Sequence, residues 1–377
     1  MRRRGNRDGR IILALRVFAL VGTLLALQGC ASLRYYVHVA QGQASLLTRR
    51  EAVAKVVADP RRDAVLRARL RQAQAARAFA SDSLALPRNR SYTSYVDLKR
   101  PYVTWNVFAT PEFAVEPLTH CFPFAGCVAY QGYFDRAQAE RDAQHLAAQG
   151  NDTQIEGAVA YSTLGWFADP ILSSMLRWSD DELDSTIFHE LAHQQLYVKD
   201  DTAFNESYAS FVQEQGLREW RSARGLPPAD ESERGRDDAF SALVLDLREH
   251  LRQAYAEDVS SVAEKRAVKE REIAAFRIRY AQLRDAAWSG DARYDAWVKA
   301  PINNASLLPF GLYDRWVPAF AQLFEQSHGG WPLFFAKVRD LAREPRQQRD
   351  DALSRLATQT DTARAVDIQA EQEAGHP

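Results

Sequence analysis

The sequence predicts an α+β fold that is mostly helical: a small sheet beside a helix pair, then a long helical hairpin and a helical C-terminal bundle. Three observations predict it. β-Forming residues gather between Ser91 and Tyr133 and again from Thr153 to Tyr161. Leu183, Ile187 and Leu191 recur at spacing four, and a second apolar stripe of Phe204, Tyr208, Phe211 and Val212 follows them. Arg236 to Ser289 contains neither Gly nor Pro and repeats apolar residues at helical spacing.

The elements follow in chain order. Arg2, Arg3, Arg4, Arg7, Arg10 and Arg16 form a basic leader, and Val17 to Leu27 is an apolar run too short to span a bilayer comfortably. Leu27-Gln28-Gly29-Cys30 then resembles a bacterial lipobox, in which Cys30 is lipidated and becomes the first mature residue. The plainer alternative is an ordinary secretory signal with a nearby structural cysteine. Residues 1–29 are expected to be a removable signal. Their loss takes away six arginines and one aspartate and changes the net charge from −1 to −6. Residues 30–90 are expected to be a helical segment interrupted at Pro60.

Residues 91–225 are expected to hold the sheet and the helix pair. Tyr92, Tyr95, Val96, Tyr102, Val103, Trp105 and Val107 favour strands, Asp135 to Gln149 reads as a helix ended by Gly150, and Thr153 to Tyr161 reads as a further strand. Cys121 and Cys127 are the only cysteines after Cys30, and in an exported chain they read as a local disulfide. His120 beside them reads as structural. Residues 226–360 are expected to be helical. Phe240, Leu243, Val244, Leu247, Leu251 and Tyr255 form one periodic run. Val262, Ile273, Phe276 and Tyr280 form another, with a turn near Asp258–Ser261. Residues 361–377 read as a disordered tail. No basic cluster with interleaved aromatics occurs in the body of the chain, so no nucleic-acid partner is expected.

The chemistry is concentrated at His189-Glu190-Leu191-Ala192-His193, an H-E-x-x-H pattern. Ser179-Asp180-Asp181-Glu182 has the form of a capping box, which places the pattern on a helix. Residues four apart share a helix face, so His189 and His193 can offer two imidazoles to one metal ion. Zn²⁺ suits neutral imidazole nitrogen. Glu190 points slightly aside, where a carboxylate can take a proton from water beside the metal. A hydrolytic zinc needs a third ligand, and Glu206 on the following helix is the expected one. The plainer reading of Glu206 is a solvated helix carboxylate. Asp200 and Asp201 are candidate hydrogen-bond partners of a ligand histidine.

This pattern, followed by Asp201-Thr202-x-Phe204-Asn205-Glu206-x-Tyr208-Ala209, resembles the gluzincin metallopeptidases. More narrowly it looks like a bacterial family of predicted zinc aminopeptidases, to which Cys121–Tyr133, Tyr161–Leu176 and Pro301–Phe320 are also similar. Only twelve residues separate His193 from Glu206, fewer than in the better-known gluzincins, so the turn between the helices must be tight. The resemblance implies zinc on His189, His193 and Glu206, with Glu190 as the general base. It also implies an edge strand that pairs with an extended peptide substrate, for which Ile155 to Tyr161 is the candidate, an ordinary core strand being the alternative. An oxyanion donor is needed, and Tyr313 and Tyr161 are the candidates, with plain core roles as alternatives. Asn303, Asn304 and Tyr313 are candidate cleft residues.

The expected function is therefore zinc-dependent peptide-bond hydrolysis in the bacterial envelope, by a protein lipid-anchored at the periplasmic face of the outer membrane. The resemblance says aminopeptidase. Glu156 is the nearest candidate for the carboxylate that would hold a substrate ammonium, and a solvated strand carboxylate is the alternative. Rival readings are an envelope endopeptidase, another metallohydrolase, and a zinc-binding scaffold. Glu190 argues against the scaffold, because zinc binding alone does not need it.

Overall fold

The computed structural model describes residues 33–122, 126–256, 261–311 and 315–359. The signal segment 1–29, Cys30, Tyr313, most of the turn near 258–261 and the tail 361–377 lie outside the described residues. The chain divides into two units, residues 1–50 and residues 51–377. The first contains helix α1 (33–48). Everything below concerns the second.

The helix expected to break at Pro60 does so: α2 (Val53–Ala58) ends before it, and α3 (Ala64–Asp82) restarts on an Asp63 cap that accepts Leu66 N–H at 2.8 Å. The β-rich region is divided into two three-stranded sheets and a hairpin. β1 (Glu51–Ala52), β2 (Ser94–Val96) and β8 (Ile171–Leu172) form one sheet in the order β1-β2-β8. β3 (Thr104–Pro111), β6 (Tyr130–Tyr133) and β7 (Asn151–Ala158) form the other, antiparallel, in the order β6-β3-β7. Pro101 separates the two strand-forming runs and divides the region at that point. β4 (His120–Phe122) and β5 (Gly126–Val128) pair through Cys121 and Cys127, which form the expected disulfide.

β7 is an edge strand, as expected, and its bounds differ from the expected ones. It begins at Asn151 and ends at Ala158, because the Val159 carbonyl accepts the Ser174 hydroxyl at 2.6 Å and leaves the ladder. Helix α4 (Arg136–Ala148), capped by Asp135, packs on β3 and β7. Phe108 of β3 instead packs with Tyr130, Ala305 and Leu308.

The capping box forms at Ser179 and Glu182 and starts α5 (Asp180–Gln195). Leu183, Ile187 and Leu191 are fully buried, as their spacing requires. α6 (Thr202–Ala223) begins on Asp201, whose carboxylate accepts Phe204 N–H at 3.2 Å. The two helices cross closely at Gly216, where an added Cβ would lie 3.0 Å from the Phe188 ring and 2.8 Å from Leu84.

Asp184 lies at this junction, fully buried, and accepts Gln72 Nε2–H and Trp220 Nε1–H at 2.8 Å each. Burial pushes its carboxyl up to about 6 despite those two donors. Since the folded value lies above the usual 3.8, the native state holds this proton more tightly than the unfolded chain. Stability from Asp184 is thus present at low pH and is lost as pH rises through about 6, at about 1.4 kcal/mol per pH unit of displacement. Asp184→Asn should therefore be more stable than the native chain by about 1–3 kcal/mol at pH 7.5, with the gap shrinking toward pH 4. Urea unfolding of both proteins across that range checks this; a gap independent of pH contradicts it.

α7 (Glu231–Ala256) and α8 (Val262–Ala287) form the expected hairpin. Phe240, Val244, Leu247 and Leu251 pack against Ile273, Phe276 and Tyr280. Val262, counted in the periodic run, is exposed because it is the first helical residue. Beyond the hairpin come α9 (Asp295–Lys299), α10 (Val317–Glu325), α11 (Trp331–Arg343) and α12 (346–359). Tyr208 and Phe211 of α6 pack into the aromatic cluster of Phe320, Phe324 and Phe334. No helix among the described residues is long and apolar enough to cross a membrane.

Candidate metal centre

α5 and α6 bring His189, His193 and Glu206 to one point. The His189 and His193 Nε2 atoms are 3.0 Å apart, and Glu206 Oε2 lies 3.3 Å from the first and 3.5 Å from the second. Ligands held tetrahedrally at zinc distances lie about 3.3 Å apart. The spacing therefore fits one small cation. Both histidines are buried, at 8% and 7% exposure. Burial alone would raise the Glu206 carboxyl, but the charge of His193 and hydrogen bonds from both imidazoles hold it well below the usual range. Burial opposes protonation of His193, and Glu206 overrides it. A buried carboxylate facing two imidazole nitrogens is a donor set for a cation such as zinc.

The short connection between the helices is made possible by Asn205. Its side chain accepts Val198 N–H and donates to the Val198 carbonyl, both at 2.7 Å, and so clamps the turn onto the start of α6. Asn205 is fully buried, and the next residue, Glu206, is thereby aimed back at α5. The tight turn suggested by the twelve-residue spacing is compatible with Glu206 in the cluster.

Asp200 and Asp201 do not orient the histidines. Asp201 caps α6 and forms a buried ion pair with Arg349 of α12, its Oδ2 accepting Nε–H at 3.0 Å. Asp200 accepts Cys127 N–H at 2.7 Å, which joins the disulfide hairpin to the turn after α5. The partner of His189 is Gln213. The Nδ1–H of His189 donates to Gln213 Oε1 at 2.9 Å, which fixes the ring with Nε2 facing the cluster. Gln213 Nε2–H donates in turn to Ser185 Oγ at 3.3 Å, and Ser185 donates to the Glu182 carbonyl at 3.3 Å. Gln213 lies two helical turns after Glu206 on the same face of α6, but the sequence does not show that this face meets His189.

Glu190 follows His189 and turns to the neighbouring face of α5. Its Oε2 is buried and accepts no hydrogen bond among the described residues. Tyr92 reads from the sequence only as a strand former. Its ring is fully buried, its hydroxyl has no partner among the described residues, and burial together with the charges of Glu190 and Asp169 holds its pKa well above the usual value. Its backbone is left-handed, φ 63°, and is held there by Tyr92 N–H donating to the Asp169 carbonyl and Gln74 donating to the Tyr92 carbonyl, both at 2.6 Å. Nothing in the sequence marked that conformation. Nor does the sequence mark Tyr197, whose ring centroid is 6.2 Å from that of His193, four residues earlier.

The remaining expected site residues are placed as follows. Tyr161 lies beyond the end of β7 and packs edge-on against Phe134; burial and the charge of Asp169 push it up to about 12. Glu156 pairs in register with Asn106, and burial raises its carboxyl despite a hydrogen bond from Gln154. Asn303 and Asn304 are structural. Asn303 caps the short 3₁₀ turn Asn304–Leu307 and donates to the Thr153 carbonyl at 3.0 Å. Asn304 is fully buried and donates to the carbonyls of Glu112 and Ala114 at 2.9 and 2.8 Å. Its amide is consumed in joining the hairpin unit to the sheet. A cavity of 730 Å³ between α6, α7 and α10 is lined by Glu214, Arg218, Arg234 and Arg315 and contains none of the cluster residues.

A family model described as "Putative aminopeptidase" matches residues 34–353. The chain belongs to this aminopeptidase family. The match spans both helices of the cluster, the sheets and the hairpin. No curated protein and no solved structure matches the chain. Family membership and the His–His–Glu cluster together support a metal-dependent peptidase.

Proposed function

We propose that the protein is a zinc aminopeptidase of the gluzincin type, with His189, His193 and Glu206 as ligands and Glu190 as general base. The observation that carries this reading is the triangle of 3.0, 3.3 and 3.5 Å between the three ligand atoms. Zinc held there would act as a Lewis acid on the scissile carbonyl and make nearby water acidic. Glu190 takes the proton from the attacking water and returns it to the leaving amine. Its unpartnered buried oxygen suits that task, since no other hydrogen bond among the described residues competes for it. Oxyanion donation falls to a tyrosine: Tyr161 and Tyr313 are candidates from sequence, and Tyr197 joins them by its place beside His193.

The peptide would add to β7. Ala158 directs its carbonyl to Val103 on the β3 side, whereas Thr153 directs its carbonyl outward to Asn303. Backbone groups alternate along an antiparallel strand, so Ile155 and Gly157 also point away from β3 and are available to an extended substrate. Glu156 is the proposed ammonium site. It forms no ion pair among the described residues, and a half-buried carboxylate of raised pKa gains strongly from a cation. A matched pair of peptides tests the mode of cleavage. The peptide with a free N-terminus should be cut and its N-acetylated counterpart should resist. Equal cutting of the acetylated peptide at an internal bond would make the protein an endopeptidase.

The proposed location is the periplasmic face of the outer membrane, by a lipid on Cys30, and it rests on the Leu27-Gln28-Gly29-Cys30 sequence with Ala31 following. Cys30→Ala should appear in the soluble envelope fraction or stay unprocessed. A variant that fractionates and migrates like the parent excludes lipidation.

A further inference from the structure

The segment between β7 and β8 holds two adjacent aromatic side chains in solvent, Trp166 at 66% exposure and Phe167 at 45%. A segment that presents two large apolar side chains side by side on the surface invites a functional reading.

The segment is tightly built. The buried Asp169 carboxylate accepts Thr163 N–H at 3.0 Å and the Thr163 hydroxyl at 2.7 Å. Thr163 Oγ1 in turn accepts Phe167 N–H at 3.1 Å, and the Thr163 carbonyl accepts Trp166 N–H at 3.1 Å. Leu164 and Gly165 are consecutive left-handed residues, φ 53° and 82°, and make the turn that carries Trp166 and Phe167 at its tip.

The turn is braced on α5. A Cβ at Gly165 would lie 3.5 Å from Gln194 Cγ, and Gln194 also bonds Ser91 and Asn89 on the adjoining loop. Gln194 follows His193 directly and lies four residues after Glu190. It therefore shares the face of α5 that carries Glu190, about 6 Å further along the axis. At its other end the segment continues from β7, the strand proposed to pair with the substrate. The segment that carries the aromatic tip thus runs from the substrate strand to the face of α5 that bears the general base.

We propose that Trp166 and Phe167 form a side-chain subsite that selects peptides with an apolar or aromatic residue beside the scissile bond. This inference rests on the peptidase reading of the same site. The test compares two peptides that differ only in one residue next to the cut, Leu in one and Ser in the other, with the full-length native protein, Trp166→Ala and Phe167→Ala. The native protein should prefer the Leu peptide. In at least one variant kcat/KM for the Leu peptide should fall roughly 10-fold or more, mainly through KM, while the Ser peptide changes little. Zinc content should be unchanged, since neither residue belongs to the cluster.

Binding of the same peptides, measured by calorimetry on Glu190→Gln and on Glu190→Gln with Trp166→Ala, separates the two readings. Leu-peptide binding that depends on Trp166 without any native turnover keeps the subsite and removes the peptidase. Native turnover with a Leu-to-Ser ratio unchanged in both variants removes the subsite and keeps the peptidase. Loss of binding to lipid vesicles in Trp166→Ala, with peptide selectivity intact, would assign the pair to a bilayer surface and overturn the proposal.

Discussion

Glu190→Gln is expected to retain its metal and to lose peptide turnover by a factor on the order of 10² or more. The amide matches the carboxylate in shape but cannot accept a proton from water at neutral pH. Glu190 is not among the three converging ligands, and its Oε2 has no hydrogen-bond partner among the described residues, so the change removes no structural contact there. The effect should fall on kcat, with KM nearly unchanged, as expected for an interaction made mainly in the transition state. Metal analysis and steady-state kinetics on the same preparation check both halves. A Glu190→Gln protein with native turnover would end the water-activation role, and one without metal would make Glu190 part of the binding site.

What could be read from the sequence was local. The capping box, the apolar stripe of α5 and the histidines at spacing four are set by residues within a few turns of one another. The long hairpin was readable for the same reason, because its core residues repeat along each helix before the helices meet. What depends on how distant segments cross was not readable. Gln213 reaches His189 because α5 and α6 approach closely at Gly216, and sequence spacing does not show which side chain that crossing aligns. Asn304 reads as a cleft residue from its polar side chain, yet that side chain serves carbonyls of residues nearly two hundred positions earlier. Asp200 and Asp201 read as partners of the histidines from their place in the turn. They are instead committed to the disulfide hairpin and to α12, two elements whose positions only the fold supplies. Tyr92 gives no sign in the sequence of its left-handed backbone, which is held by groups from α3 and from the segment before β8.

The second large effect belongs to Glu206. Its carboxylate supplies one of three converging ligand atoms and the only negative charge among them. Its removal leaves two imidazoles and no negative charge, and it should reduce metal affinity by more than the roughly 10- to 100-fold typical of losing a hydrogen-bond partner of a ligand. The fold should survive, because Asn205 and Asp201, and not Glu206, close the turn and start α6. Asp200→Ala is the control: it lies in the same turn, and the hydrogen bond it gives up, from Cys127 N–H, lies outside the cluster. The decisive measurement is metal content, with peptide turnover, of the native protein, Glu206→Ala and Asp200→Ala purified side by side without added metal. The account predicts about one zinc per chain in the native protein and in Asp200→Ala, and little metal and no turnover in Glu206→Ala. Glu206→Ala retaining native zinc and native turnover would contradict it.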